Sequence, residues 1–220
     1  PLLPWQPNGD SYRNPWVLAL DFAIGTAGAS GMNDVCAYEQ ITSYLFNSNG
    51  MQYDTHGGFN TYGFDGLFGN MDLHGYILKS EGNDINCYDQ AGAICALGRL
   101  IGIPVVYQKM APFGYINIIP IVGIGNSNNP VYNRPDITGD ITTDEDAVYP
   151  ERCPFGNHAF TTYGDYVYDA TAGINCGTRT RVQYVDDSID REPTGGIEDD
   201  FAGDVLDIVP GGVTDLQSLQ

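Results

Sequence analysis

Two stretches of the chain carry apolar residues at helical spacing. In residues 34–46 (DVCAYEQITSYLF), Ala37, Ile41, Tyr44 and Leu45 fall on one face, which predicts a helix. Asn33 or Asp34 can cap its start, and Asn49-Gly50 ends it. The second stretch begins at Asn86, a natural N-cap, with Asp89 placed for a capping box. Cys87, Ala91, Ile94, Cys95, Gly98 and Ile101 follow on one predicted face. Gly102 suits the position after the last turn, and Pro104 prevents continuation. The period then changes from helix to strand. Val105-Val106-Tyr107 opens a strand, and residues 111–150 hold further strand-like pieces (YINIIPIVGI) beside a polar, acidic loop. HAFTTY (158–163) and YVYDAT (166–171) flank Gly164-Asp165, and a Gly-first two-residue loop suits a type II′ hairpin.

The rest of the chain is punctuation. The first thirty residues are broken by Pro1, Pro4, Pro7, Gly9 and Pro15 around a short apolar run, Trp16 to Ile24. Residues 54–75 are rich in Gly and aromatics and predict a long ordered loop of the kind that walls a binding groove. Residues 186–220 are acidic and weakly patterned, as in a tail or a linker to another domain. The expected organisation is an N-terminal extension (1–33), one α+β catalytic domain (34–185) and an acidic C-terminal segment or linker (186–220). No internal repeat is present. A start at Pro1, without Met, fits a mature form or an excised domain.

Charge narrows the function classes. The net charge is −19, and it arises from scarce cations, since Lys79 and Lys109 are the only lysines. A nucleic-acid binder needs a basic footprint and an anionic membrane attracts basic segments, so neither partner is expected. Few lysines with many Tyr, Asn and Gly fit a secreted or cell-surface protein. The five cysteines (Cys36, Cys87, Cys95, Cys153, Cys176) are odd in number and form no C-x-x-C pair, and His56, His74 and His158 are scattered, so no zinc site is expected.

One cysteine stands out by position. Cys87 falls at the first turn of the second helix, where unpaired backbone N–H groups and the helix dipole favour an anion, the condition under which a thiol becomes a nucleophile. The alternative is a small buried hydrophobe on the core face. Cys95, two turns along, has no such terminus and reads as core. A nucleophilic Cys needs a base, and the base needs an orienting group. In the hairpin register that pairs 163 with 166, residue 160 faces 169 and 158 faces 171. His158 and Asp169 then share a face one diagonal step apart, within side-chain reach. A slip of one residue would put them on opposite faces.

These residues resemble a family. Cys87-Tyr88-Asp89-Gln90-Ala91, then Gly98-Arg99 and Gly102-Ile103-Pro104, resembles the nucleophile helix of the transglutaminase-like superfamily, with its C-x-D-x-A start and GIP exit. His158-Ala159-Phe160 resembles its H-A-W strand, and Asp169-Ala170-Thr171 its D-x-T. Helix 34–46 with Met51-Gln52-Tyr53 looks like the preceding helix and its exit, so the resemblance covers residues 34–171. Phe160 stands where the family carries Trp, and Thr162 where many members carry an acid; neither is a triad position. The resemblance implies a papain-like core, a nucleophile helix packed on an antiparallel sheet, with Cys87, His158 and Asp169 as the catalytic set. The Cys87 N–H would supply one oxyanion donor. The Trp that cross-linking members use for this has no counterpart, because Trp5 and Trp16 lie too early.

The implied activity is thioester-forming acyl transfer on peptide or protein amides, resolved by water in a cysteine peptidase or amidohydrolase, the favoured reading. Resolution by an amine, in a protein-glutamine transglutaminase, and a catalytically silent binding module are the alternatives. No cofactor is expected. Calcium is conceivable at Asp144-Glu145-Asp146, Asp186-Asp187 or Glu198-Asp199-Asp200, none of which has EF-hand spacing. His56-Gly57-Gly58 lacks a G-x-S-x-G partner, and Gly25-x-x-Gly28 lacks the P-loop Lys. Cys153 and Cys176 bracket the hairpin and in an oxidising compartment can pair across its open end; Cys36 with Cys95 is a second conceivable pair.

Overall fold

The computed structural model describes residues 13–30, 33–63, 71–111, 113–131, 153–173, 176–190 and 205–206. It is an α+β architecture. Helix α1 (Arg13–Leu20) runs into a π-helical turn (Asp21–Thr26), and α2 spans Asp34–Asn47. Then come β1 (Gln52–Tyr53), α3 (Leu73–Leu78), β2 (Asp84–Ile85), α4 (Cys87–Leu100) and β3 (Val106–Met110). A small ribbon, β4 (Ile119–Ile121) with β5 (Gly125–Ser127), precedes β6 (His158–Tyr163), β7 (Tyr166–Tyr168), β8 (Cys176–Thr180), α5 (Arg181–Ser188) and β9 (Val205–Leu206).

The main sheet is antiparallel with strand order β8-β7-β6-β3-β9. The hairpin has the register its loop chemistry predicts: Tyr163 pairs with Tyr166 and Thr161 with Tyr168. Gly164 takes φ +60° and Asp165 stays at negative φ, the type II′ pattern that matches strand twist.

Helix α4 lies against β6 and β3 on one side and against α1, α2 and α3 on the other. Thirteen of its fourteen residues are buried, so it is enclosed on every side and has no single core face. The sequence allows this because only Asp89 and Arg99 are charged along it. Gly98 is required by the α2–α4 crossing, since a Cβ there would lie 2.8 Å from the Tyr38 ring. Tyr38 in turn bonds Thr161 Oγ1 at 2.6 Å and tilts against Tyr168 with ring centroids 4.6 Å apart, joining α2 to the hairpin.

Several details depart from the linear reading. The stretch 54–75 is not all loop, because Asp72 caps α3 by accepting the Gly75 N–H at 2.8 Å. Residues before 34 pack on the same core as the rest through Ala19, Phe22, Ala23 and Ala27. Residues 186–188 complete α5, and β9 adds a strand to the sheet edge. The five thiols are unpaired. Strand β8 carries Cys176 to α2, where its thiol donates to Glu39 O at 3.1 Å, while Cys153 Sγ sits 3.7 Å from Pro154 O. Neither conceivable disulfide is formed. Burial pushes the Cys95 thiol up to about 11, as expected of a core residue. The acidic clusters 144–146 and 198–200 and Trp5 lie outside the described residues. No group of metal-ligating side chains occurs among the described residues, and no helix among them is long and apolar enough to cross a membrane.

Candidate active site

Cys87 enters the structure through the capping of α4. The Asn86 side chain accepts the N–H groups of Tyr88 (2.8 Å) and Asp89 (3.4 Å), and the Asp89 carboxylate accepts the Asn86 N–H at 3.0 Å. This capping box satisfies the N–H groups of Asn86, Tyr88 and Asp89, and the Cys87 N–H has no hydrogen-bond partner among the described residues. The Asp89 carboxylate does more than cap. It also accepts the N–H groups of Thr61 (2.9 Å), Tyr62 (2.6 Å) and Gly63 (2.5 Å), tying the 60–63 loop to the nucleophile turn. Burial pushes the Asp89 carboxyl above its ordinary value, and the four backbone donors only partly offset that. Cys87 itself is buried, packed with Tyr88, Ala91 and Ala159.

The hairpin brings His158 and Asp169. His158 Nε2 lies 2.8 Å from Asp169 Oδ2, with both groups buried. Because Asp169 occupies Nε2, Nδ1 is the nitrogen left to face Cys87, which lies near enough to act on the imidazole's charge. Burial lowers the imidazole pKa, but the charge and hydrogen bond of Asp169, followed by the Cys87 contacts, outweigh it and push His158 up to about 10. The ring packs against Phe113, with centroids 4.6 Å apart, and lies nearly parallel to Tyr184 at 11°.

Asp169 is held from every side. Its Oδ1 accepts the N–H of Thr171 (2.7 Å) and of Ala172 (3.2 Å), and its Oδ2 accepts the Tyr184 hydroxyl at 2.7 Å. Burial raises a carboxyl, yet the His158 cation and these donors hold Asp169 below its ordinary value. The structure thus brings Cys87, His158 and Asp169 together. His56 and His74 lie apart and exposed.

Three side chains of this site carry no role in the linear reading. Tyr184 comes from α5, whose start carries a readable T-x-x-Q capping box (Thr180, Gln183). Gln90, one turn after Cys87, donates to Ala170 O at 2.8 Å and accepts from the Tyr76 hydroxyl, so it joins α4 to the residue beside Asp169. A buried Gln on an otherwise apolar helix was its signal. Tyr53 had none. It sits on β1, whose parallel pairing with β2 sets Tyr53 against Ile85, just ahead of the nucleophile helix. Its hydroxyl has no hydrogen-bond partner among the described residues, and it lines the same concavity as His158.

Comparison of the chain with family models, with curated proteins and with solved structures finds no match.

Proposed function

We propose that the protein is a cysteine-nucleophile acyl-transfer enzyme acting on peptide or protein amides, with a transglutaminase-like core and hydrolysis as the favoured outcome. The observation that carries this reading is the buried 2.8 Å contact of His158 Nε2 with the Asp169 carboxylate, with Cys87 at the capped start of α4 close enough to act on the imidazole's charge. An extracellular setting belongs to the same proposal and rests on the −19 charge.

The chemistry follows from the geometry. His158 takes the thiol proton and Asp169 stabilises the resulting imidazolium. The thiolate attacks the amide carbon, and the Cys87 N–H faces the oxyanion that forms. The Tyr53 hydroxyl is the second donor in this scheme, since it is unpartnered and lies close enough to Cys87 and Asp169 for their charges to act on it. The C–N bond breaks, His158 returns its proton to the leaving nitrogen, and a thioester remains on Cys87. Water then attacks with His158 as base, which releases the acid and restores the thiol.

Alkylation by iodoacetamide near neutral pH, mapped by mass spectrometry, tests the reading. Mapping is needed because Cys36 is exposed whereas Cys87 is buried. Rapid labelling of Cys87, slowed about a hundredfold by His158→Ala, is the expected result. A Cys87 that reacts only after denaturation sinks the enzyme and supports the silent binding module. Incubation with an amine donor and a glutamine peptide separates the transferase from the hydrolase.

A further inference from the structure

The Asp169 carboxylate is oriented through a peptide group. Its Oδ1 accepts the Thr171 N–H at 2.7 Å. That N–H shares one planar peptide unit with the Ala170 carbonyl, and in such a unit the two groups point opposite ways. The carbonyl therefore points away from Asp169 into the core, where Ala170 is fully buried. Gln90 Nε2 donates to it there at 2.8 Å. The same nitrogen reaches Leu45 O at 3.4 Å, and Gln90 Oε1 accepts the Tyr76 hydroxyl. The Tyr76 oxygen in turn accepts from Asn49 Nδ2 at 3.2 Å. All three side chains are buried.

These bonds run head to tail. Asn49 donates to Tyr76, Tyr76 to Gln90, Gln90 to the Ala170 carbonyl, and the N–H of that same peptide to Asp169. Every donor points toward the carboxylate, and in a dry interior each bond polarises the next. We infer that Gln90 is a positioning residue of the candidate active site: by holding the Ala170–Thr171 peptide, it fixes the Asp169 carboxylate against His158. Without the Gln90 amide the buried carbonyl has to turn to find another donor, and the Thr171 N–H turns with it. The titratable groups that act on Asp169 or on the imidazole are Cys87, Tyr53 and Tyr184, and Gln90 bonds none of them. Gln90 carries no charge, so a response of His158 to its removal travels through the peptide. The catalytic meaning of this link rests on the proposed function, and its test is independent of turnover.

The His158 imidazole is titrated by NMR in the full chain carrying Cys87→Ala, which removes coupling to the thiol. Asp169 still lifts the midpoint above the ordinary histidine value in that background. Adding Gln90→Met keeps the side-chain length and removes both amide groups. It is expected to lower the midpoint by about half a pH unit, roughly a threefold loss of proton affinity. Tyr76→Phe leaves Gln90 on Ala170 and removes one donor further back, so the midpoint is expected to fall in the same direction and by less. Leu97→Ala opens a cavity elsewhere in α4 and is expected to lower Tm with the midpoint in place. An unchanged midpoint in Gln90→Met with a native near-ultraviolet circular dichroism spectrum overturns the role, and so does an equal fall in Leu97→Ala. If Gln90→Met does not fold, an unchanged midpoint in Tyr76→Phe overturns it instead. A midpoint lowered as expected, with Cys87 of the unsubstituted chain inert to iodoacetamide, removes the acyl-transfer reading and leaves the positioning of Asp169 by Gln90 standing.

Discussion

Asp89 and Asp169 are both buried carboxylates, one at the start of α4 and the other at the end of the hairpin, and their surroundings make them different groups. Asp89 meets four backbone N–H donors and no cation, and burial leaves its pKa raised. Asp169 meets two backbone N–H donors, a tyrosine hydroxyl and an imidazole, and its pKa is lowered. Neutral donors soften the cost of burying a charge, whereas a full opposite charge reverses it. The first carboxylate therefore organises backbone around Cys87, and the second orients and charges His158.

The comparison is broken or sharpened by four measurements. The largest effect is expected from Asp169→Asn, which leaves the shape and removes the charge that fixes the His158 tautomer. Amide turnover should fall about a thousandfold, while Asp89→Asn, once folded, should lose less than about tenfold. The opposite ranking would reverse the roles assigned to the two carboxylates.

Stability should rank the other way. Asp89→Asn offers one amide oxygen to N–H groups from two segments and is expected to cost about 3 kcal/mol, read as a fall in Tm of about 6–12 °C. An unchanged Tm would show that the 60–63 loop does not need the charge.

The pH dependence sharpens the contrast next. The folded pKa of His158 is raised from 6.5 to about 10, so its contribution is complete below the unfolded value and lost as pH rises through about 10. The folded pKa of Asp169 is lowered, so its contribution is present above the ordinary carboxylate range and lost as pH falls through the depressed value. The Tm gap between wild type and Asp169→Asn should be widest between the ordinary carboxylate range and about pH 6.5, shrink as pH rises towards about 10, and shrink again as pH falls through the depressed Asp169 value. A gap that keeps widening below the carboxylate range would contradict the pairing.

The smallest effect is expected from Tyr184→Phe. Losing one donor to Asp169 Oδ2 should cost about 1 kcal/mol and about tenfold in rate, and should move the acid limb of the pH profile upward. An unmoved limb with a lower Tm would leave Tyr184 a packing residue only.

Much of this arrangement is legible in the chain because it is local. The Asn86–Asp89 capping box, the Gly102-Pro104 exit of α4 and the Gly164-Asp165 turn act within a few residues, and each sits where its chemistry requires. The pairing of His158 with Asp169 is nearly local too, since one tight turn sets the register that aligns them. The α3 helix went unread because its single capped turn is too short to show a period amid Gly and aromatic residues.

What the sequence by itself determined is helices α2 and α4, the opening of β3, the β6–β7 hairpin with its type II′ register and the capped helix start that carries Cys87, all products of short-range sterics and hydrogen bonding. What only the tertiary structure decided is who meets whom across the chain. Gln90 reaches Ala170, Tyr184 reaches Asp169, and Tyr53 lines the same concavity as His158. Those contacts join segments with no shared periodicity, and the packing of an all-buried α4 between sheet and helices fixes them. The same packing decides charge, because a carboxylate's sequence neighbours do not reveal if burial will leave it facing backbone amides or an imidazole.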